Sequence, residues 1–187
     1  MSIRHCAAVV VAGAFIVAGS AAVVVAQAAF SAQPPVVITS CGQSPDAYTV
    51  SLLSKRAKLE HASDNLLKLD ALKSYKTLVV VMGGSAKGLG EAGIDEKGEI
   101  ARVGQLLAKA KELGIKVIAV HVGGESRRGP LSDKFIEPVV AKADYVLVTE
   151  DGNKDGAFVR MTKARNTPLQ VVPQVAGIGP ALKALIK

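Results

Sequence analysis

Side chains that could take part in binding or catalysis gather in four short segments of the sequence. They are residues 40–46 (SCGQSPD), 83–93 (GGSAKGLGEAG), 121–129 (HVGGESRRG) and 151–156 (DGNKDG). Each segment follows a run rich in Val, Ile or Leu that has the character of a buried strand. Ligands in parallel α/β sheets bind beyond the carboxyl ends of the strands, so these four segments are the predicted functional loops.

The first loop combines a tight turn with the start of a helix. Free backbone N–H groups at such a start suit an anion. We therefore predict ligand contacts from this loop, with Asp46 repelling an anion unless its side chain turns away. The predicted contacts are Ser40, Gly42, Gln43 and Ser44.

Cys41 offers a second interpretation of the same loop, as a catalytic nucleophile. A thiol near a helix start can have a lowered pKa and attack an ester or thioester. Ser40 is the alternative nucleophile, with His121 or Asp46 as the base. A cysteine phosphatase loop would need an arginine where Ala47 stands. We favour the simpler interpretation of Cys41 as a small, partly buried thiol beside a capped helix.

The second loop is rich in glycine and matches two nucleotide-binding patterns only partly. Gly88, Gly90 and Gly93 fit G-x-G-x-x-G by letter, but they lie several residues beyond the strand. Leu89 stands where a phosphate-binding loop of the Walker type needs lysine. The alternatives are a ligand-contacting loop and a mobile surface loop. For the first, the predicted ligand contacts are Gly84, Ser85, Lys87 and Gly88.

Paired arginines mark the third loop. Arg127 and Arg128 could clamp a carboxylate or phosphate, because a guanidinium matches the geometry of both groups. The alternative is solvated surface charge. His121 is expected to be a hydrogen-bonded histidine at a strand end more than a catalytic base.

The fourth loop resembles the opening of a calcium loop but lacks its final glutamate. Thr162 stands at the twelfth position, where an EF-hand loop has Glu. We therefore expect a turn rich in Asn and Asp that caps the next helix, with Asn153 and Asp155 facing the ligand crevice. We predict neither a metal site nor a cofactor.

The elements that position these loops alternate between strand and helix. Strands are predicted at 36–39, 78–82, 116–120, 145–148 and 169–172, with a weaker one at 58–62. Helices are predicted at 44–56, 95–113, 132–141, 157–165 and 179–187; residues 64–75 are expected to be a short helix or loop. Continuous apolar strands of this kind form a parallel sheet covered on both faces. We predict one doubly wound α/β sheet of about five mostly parallel strands, flavodoxin-like or Rossmann-like in order.

The first 28 residues have the pattern of a secretory signal. Arg4 and His5 precede an apolar run over residues 6–25, and Ala26-Gln27-Ala28 suits a signal peptidase. We predict cleavage after Ala28 and a periplasmic or extracellular protein; a retained membrane anchor is the alternative. The predicted organisation is a signal over residues 1–28, a tether over 29–35 and one domain over 36–187.

The charge and composition of the residues after the predicted signal limit the classes of partner that the protein is expected to bind. The chain has net charge +7, to which the signal contributes only Arg4, so the remainder has net charge +6. Positive charge favours anionic partners. Dispersed basic residues and few aromatics argue against nucleic acid, and a membrane is expected as partner only during export unless the signal is retained. Cys41 is the only cysteine after the signal and cannot form an internal disulfide.

The first, second and fourth loops also carry a resemblance. The segments TSCGQSPD (39–46), GSAKGLG (84–90) and GNKDG (152–156) resemble a family of small exported bacterial proteins that is classed as a domain of unknown function. The resemblance implies a single exported α/β domain and brings no activity or catalytic residue with it.

Three functions remain open at this point, the third being an interaction protein that binds no small ligand and has a flat, filled surface at the strand ends. The first is a binding protein that holds a small anion among these loops, and we favour it because no complete catalytic set is visible. The second is a hydrolase or transferase with Cys41 or Ser40 as nucleophile.

Overall fold

Runs of branched aliphatic residues form a parallel sheet in the structure, a computed structural model that describes residues 30–187. The strands are β1 (Val36–Cys41), β2 (Ala62–Ser63), β3 (Thr77–Met82), β4 (Lys116–His121), β5 (Tyr145–Thr149) and β6 (Leu169–Val172). The predicted signal peptide over residues 1–28 lies outside the described residues, as does its cleavage after Ala28.

Helices connect the strands and cover both faces of the sheet. They are α1 (Asp46–Arg56), α2 (Leu69–Leu72), α3 (Ala86–Glu91), α4 (Glu96–Glu112), α5 (Pro130–Val140), α6 (Ala157–Lys163) and α7 (Ile178–Leu185). Within the described range, no helix is long and apolar enough to cross a membrane.

The strand order is β2-β1-β3-β4-β5-β6, and every neighbouring pair is parallel. The chain adds β2 on one side of β1 and β3 on the other, so the order reverses between β1 and β3. This is the flavodoxin-like order extended by one strand. The predicted doubly wound α/β fold is therefore confirmed. The sheet has six strands where about five were expected, because Ala62 and Ser63 pair with Val37 and Ile38.

Two aliphatic layers hold the helices against the sheet. Helices α4, α5 and α6 pack on one face, with Leu106, Phe135 and Phe158 buried there. Helices α1 and α7 pack on the other, around Val50 and Leu182. Burial of one such side chain contributes about 1.5–3 kcal/mol, so these layers stabilise the packing of the helices on the sheet.

Local signals placed most helix ends correctly. Asp95 caps α4, since its carboxylate accepts a hydrogen bond from the Gly98 N–H at 2.6 Å. Gly114 follows α4 with φ +67°, as expected for a terminating glycine. The helix predicted from residue 44 begins at Asp46, with Pro45 at its N-cap.

The segment before β1 lies against the domain. The Ala32 N–H donates to the Leu185 carbonyl at 2.9 Å, and the Lys187 N–H donates to the Ala32 carbonyl at 3.0 Å. The Phe30 ring lies 4.8 Å from that of Tyr145, centroid to centroid. The predicted tether thus runs along the edge where the strands begin.

Candidate functional site

The loops after β1 and β3 meet at the point where the strand order reverses. The Gly83 N–H donates to the Cys41 carbonyl at 3.0 Å, and the Ser85 N–H donates to the Gly42 carbonyl at 2.9 Å. Gln43 and Gly84 add an antiparallel bridge. Two segments that are far apart in the sequence therefore form one continuous rim.

A cleft of about 580 Å³ opens above this rim. Six predicted ligand contacts line it: Gln43, Ser44, Ser85, Lys87, Gly88 and Arg127. The sequence analysis did not anticipate its other walls: Pro45, Asn65, Leu66, Glu91 and Ala92. The first, second and third loops all contribute side chains, and the fourth does not.

Backbone geometry at the first loop requires glycine. Gly42 has φ +99°, and a Cβ built there would lie 2.5 Å from the Gly83 carbonyl oxygen and 2.7 Å from the Phe135 ring. Gln43 follows with φ +54°, an uncommon value for a residue with a side chain. At Gly88, a Cβ would collide with the Gln43 carbonyl oxygen. The loops are thus in close contact only because these two glycines carry no side chain.

The second loop is more ordered than predicted. Residues 83–93 were expected to form a flexible loop, but residues 86–91 form α3. Ser85 caps this helix by accepting a hydrogen bond from the Gly88 N–H at 3.1 Å. The reason is that a serine three residues before an available N–H supplies an N-cap, which the glycine content concealed.

A buried ion pair supports the first loop from below, and the sequence analysis missed it. Glu99 is fully buried, and its Oε1 accepts hydrogen bonds from the Gly42 N–H at 3.0 Å and from Gln43 Nε2 at 2.9 Å. Arg102 Nε donates to Glu99 Oε2 at 2.8 Å, and Arg102 Nη2 donates to the Ser40 carbonyl at 2.7 Å. The available signal was Glu99 itself, which falls on the apolar stripe of α4 where a charge needs a partner.

Arg127 brings a positive charge to the cleft and forms no ion pair within residues 30–187. Its Nη1 lies 3.5 Å from the Gly84 carbonyl oxygen. Lys87 is well exposed and lies 3.6 Å from Glu91. An exposed pair of this kind contributes little free energy, so Lys87 is also available to a ligand.

The candidate nucleophiles face the interior. Cys41 is 1% exposed, and its Sγ lies 3.6 Å from the Phe135 carbonyl oxygen. Burial, and then the nearby Glu99 carboxylate, raise the pKa of the Cys41 thiol. The Ser40 hydroxyl is also buried and has no hydrogen-bond partner within residues 30–187. Neither side chain lines the cleft.

His121 and Asp46, the candidate bases, lie beneath the loops. His121 is fully buried, with Nδ1 3.0 Å from the Met82 carbonyl oxygen and Nε2 3.3 Å from that of Gly124. Burial lowers the pKa of His121. One Asp46 carboxylate oxygen is buried beside Gly83 and Gly123, and is absent from the cleft lining. Asp46 thus turns away, which was the condition for anion binding at this loop.

The two arginines of the third loop separate. Arg128 donates to Asp133 at 2.9 Å and to Asp155 at 3.1 Å, and its guanidinium lies 5.3 Å from the centre of the Phe158 ring. It is therefore neutralised outside the cleft, whereas Arg127 remains inside it. The two side chains do not act together as a clamp.

The fourth loop caps α6, as predicted. Asn153 Oδ1 accepts a hydrogen bond from the Phe158 N–H, and Asp155 Oδ1 accepts one from the Ala157 N–H, both at 3.1 Å. The hydrogen bond from the Ala157 N–H lowers the pKa of Asp155, and the hydrogen bond from the Arg128 side chain lowers it further. Both side chains are thus engaged in local structure and do not reach the cleft. Across residues 30–187, no three His, Cys, Asp or Glu side chains are placed to hold a metal ion together.

Comparison with known protein families assigns the chain to one of them. Residues 33–186 match the family described as Domain of unknown function (DUF6305). The chain belongs to this family. The match spans β1 to α7 and all four loops, which confirms the resemblance to an uncharacterised family. No curated protein and no solved structure matches the chain.

Proposed function

We propose that this chain is an exported protein that binds a small anionic molecule, a carboxylate or phosphate ester, in the cleft between the β1 and β3 loops. The observation that carries the proposal is Arg127, whose guanidinium reaches the cleft without an acidic partner among residues 30–187. A cation held in a concave site is a ready partner for an anion, because the guanidinium donates two parallel hydrogen bonds.

Neutral groups around Arg127 supply the remaining hydrogen bonds. Ser44, Ser85 and Asn65 line the same cleft, and each can donate or accept. Leu66 and Ala92 add apolar surface to the lining, and Glu91 adds a carboxylate that pairs with Lys87. The cleft volume of about 580 Å³ suits a small molecule and is too small for a folded partner.

Binding is favoured over catalysis by the positions of the reactive groups. The Cys41 thiol and the Ser40 hydroxyl are buried, and the His121 ring contacts two carbonyl oxygens and not a nucleophile. A nucleophile must reach the substrate with a base within hydrogen-bond distance. The cleft offers a charged and polar lining without such a pair.

Anion binding is tested by thermal unfolding and titration calorimetry with inorganic phosphate, acetate and citrate. The sample is protein recovered from an exporting bacterial host. Ligand at a hundredfold excess over its dissociation constant should stabilise the protein by about 2.7 kcal/mol. Arg127→Gln should weaken binding about tenfold or more, because a charge-assisted hydrogen bond contributes about 1.5–3 kcal/mol.

Arg56→Gln is the matched control, since Arg56 is an exposed arginine at the far end of α1. It removes the same charge without touching the cleft. Unchanged stability with all three anions, or equal weakening by both substitutions, would refute the proposal.

Export is part of the proposal and rests on the sequence of residues 1–28. Intact-mass measurement of the recovered protein tests it directly. A measured mass that corresponds to a chain starting at Ala29 supports cleavage. A chain that begins at Met1 and stays in the cytoplasmic fraction contradicts export.

A further inference from the structure

The edge of the sheet where the strands begin carries a concentration of positive charge that the anion cleft does not use. We propose that this edge docks on the surface of a bilayer containing anionic phospholipids. Six basic residues lie in the segments that lead into β3, β4, β5 and β6; we call them the basic edge. They are Lys73, Lys76, Lys111, Lys116, Lys142 and Arg165.

All six side chains are exposed, and none forms an ion pair with a carboxylate of residues 30–187. These segments are residues 73–76, 111–116, 142–144 and 165–168; they contain two acidic residues, and each has a hydrogen-bonding or ion-pair partner. Glu112 pairs with Lys109 at 2.8 Å, and Asp144 accepts a hydrogen bond from the Val117 N–H at 2.8 Å. Lys109 neutralises Glu112, and the one remaining carboxylate, Asp144, offsets only one of the six exposed cations, so the basic edge keeps a net positive charge.

The opposite edge of the sheet differs in this respect. There, Arg128 pairs with Asp133 and Asp155, and Lys154 pairs with Glu125 and Asp151. Cations favour the last turn of a helix, and this preference explains only part of the contrast between the two edges. Lys111 is in such a turn, but Lys76 immediately precedes β3 and Lys116 is the first residue of β4.

The basic edge surrounds a cavity with an apolar floor. The cavity has a volume of about 830 Å³, and its rim includes Lys111, Lys116, Lys142 and Arg165. Its lining also includes the carboxylates of Glu112 and Asp144, and the buried side chains of Leu107, Ile115, Val117 and Ala143. Such an arrangement can hold a lipid phosphate at the rim while glycerol and acyl carbons contact the floor.

The orientation of this edge toward a membrane rests on the proposed export: with residues 6–25 still attached, the course of the chain would place this edge next to the membrane. Phe30 packs on Tyr145, the first residue of β5, so the chain enters the domain at the basic edge. The apolar run of residues 6–25 lies a few residues earlier in the sequence. A segment of about 20 apolar residues can span a bilayer, so while attached it would hold the basic edge toward the headgroups.

The proposal is tested by flotation with vesicles of phosphatidylcholine alone and with vesicles containing phosphatidylglycerol. The sample is protein from an exporting host, with its N-terminus defined by mass. Partition onto the anionic vesicles should exceed partition onto the neutral ones and should fall steeply as salt rises. The difference in partition between the two vesicle types measures the contribution of the basic edge, even if residues 6–25 remain attached.

A triple substitution, Lys116→Gln with Lys142→Gln and Arg165→Gln, should reduce partition onto anionic vesicles roughly a hundredfold, since each basic residue near the surface contributes roughly fivefold. The matched control, Lys68→Gln with Lys97→Gln and Arg160→Gln, removes three exposed cations elsewhere and should retain partition.

Three results would overturn the proposal. They are equal partition onto both vesicle types, equal losses in the two triple variants, and competition by duplex DNA at equal strength through the same cations. The last result would show that the basic edge binds polyanions in general and not a membrane in particular. Circular dichroism of each variant separates a loss of docking from a loss of fold.

Discussion

The carboxylate of Glu99 accepts a hydrogen bond from the backbone N–H of Gly42 at 3.0 Å, across 57 residues of sequence. Glu99 lies in α4 and Gly42 directly follows β1, so this contact joins a helix to the loop that forms the cleft floor. With Arg102, which binds the Ser40 carbonyl, it holds the first loop in a conformation that includes φ +99° at Gly42.

Glu99→Ala should destabilise the protein by about 3–5 kcal/mol, because it leaves Arg102 without its buried partner. Glu99→Gln should cost less, since its amide oxygen can still accept the Gly42 N–H. Urea denaturation measures both. Glu112→Gln is the control: its pair with Lys109 is exposed, and a change of more than about 1 kcal/mol there would undermine the comparison.

Gly88→Ala should destabilise the protein by about 1–3 kcal/mol and weaken anion binding, because the new methyl group meets the Gln43 carbonyl. Gly90 lies in the same helix, and a methyl group added there would extend into open space, with no packing neighbour within 4 Å. Gly90→Ala should therefore stabilise α3 by up to about 1 kcal/mol. Equal effects of the two substitutions on urea denaturation would contradict the close contact at Gly88.

Cys41 should resist alkylation in the folded protein. Its thiol is buried, and burial with the adjacent Glu99 charge raises its pKa, so little thiolate is exposed at pH 8. Iodoacetamide labelling of the Cys41 peptide, followed by mass spectrometry, should be at least about a hundredfold slower than in guanidinium-unfolded protein. Rapid labelling of the native protein would revive the nucleophile hypothesis.

The stability of the protein should decline as pH falls below 6.5, in part because of His121. Burial lowers its pKa from 6.5, so below that pH the unfolded chain binds a proton that the folded protein does not. The contribution of His121 to the free energy of unfolding is fully present above pH 6.5. It decreases by up to about 1.4 kcal/mol per pH unit as the pH falls toward the pKa of His121 in the folded protein.

His121→Gln keeps a polar side chain and removes this titration. Its unfolding free energy should depend less on pH between 7.5 and 5 than that of the unsubstituted protein. Parallel pH profiles of the two proteins would show that the imidazole is not the titrating group.

The fold was largely predictable from local signals. Residues 78–82 and 117–120 are continuous apolar runs, and both lie in buried strands, as is typical of a parallel sheet covered on two faces. Asp95 and Gly114 bounded α4 through capping chemistry that acts within a few residues. Local signals missed α3, which has six residues, and placed the weak strand at 58–62 where the structure has the two-residue β2 at Ala62–Ser63.

The site was predictable in part. The rule that ligands bind at strand ends brought Gln43, Ser85 and Arg127 to one cleft. It could not separate Arg127 from Arg128, since the partners of Arg128 come from residues 133 and 155. It also could not show that the side chains of Ser40 and Cys41 turn inward.

The sequence by itself determined the alternation of strand and helix, the doubly wound class and the segments from which a site could be built. Short-range periodicity and capping encode those features, and each needs only neighbouring residues. Only the tertiary structure decided which polar groups face the cleft, which are neutralised by a partner, and which are buried. Those outcomes depend on contacts such as Glu99 with Gly42, whose free energy exists only after distant segments have packed.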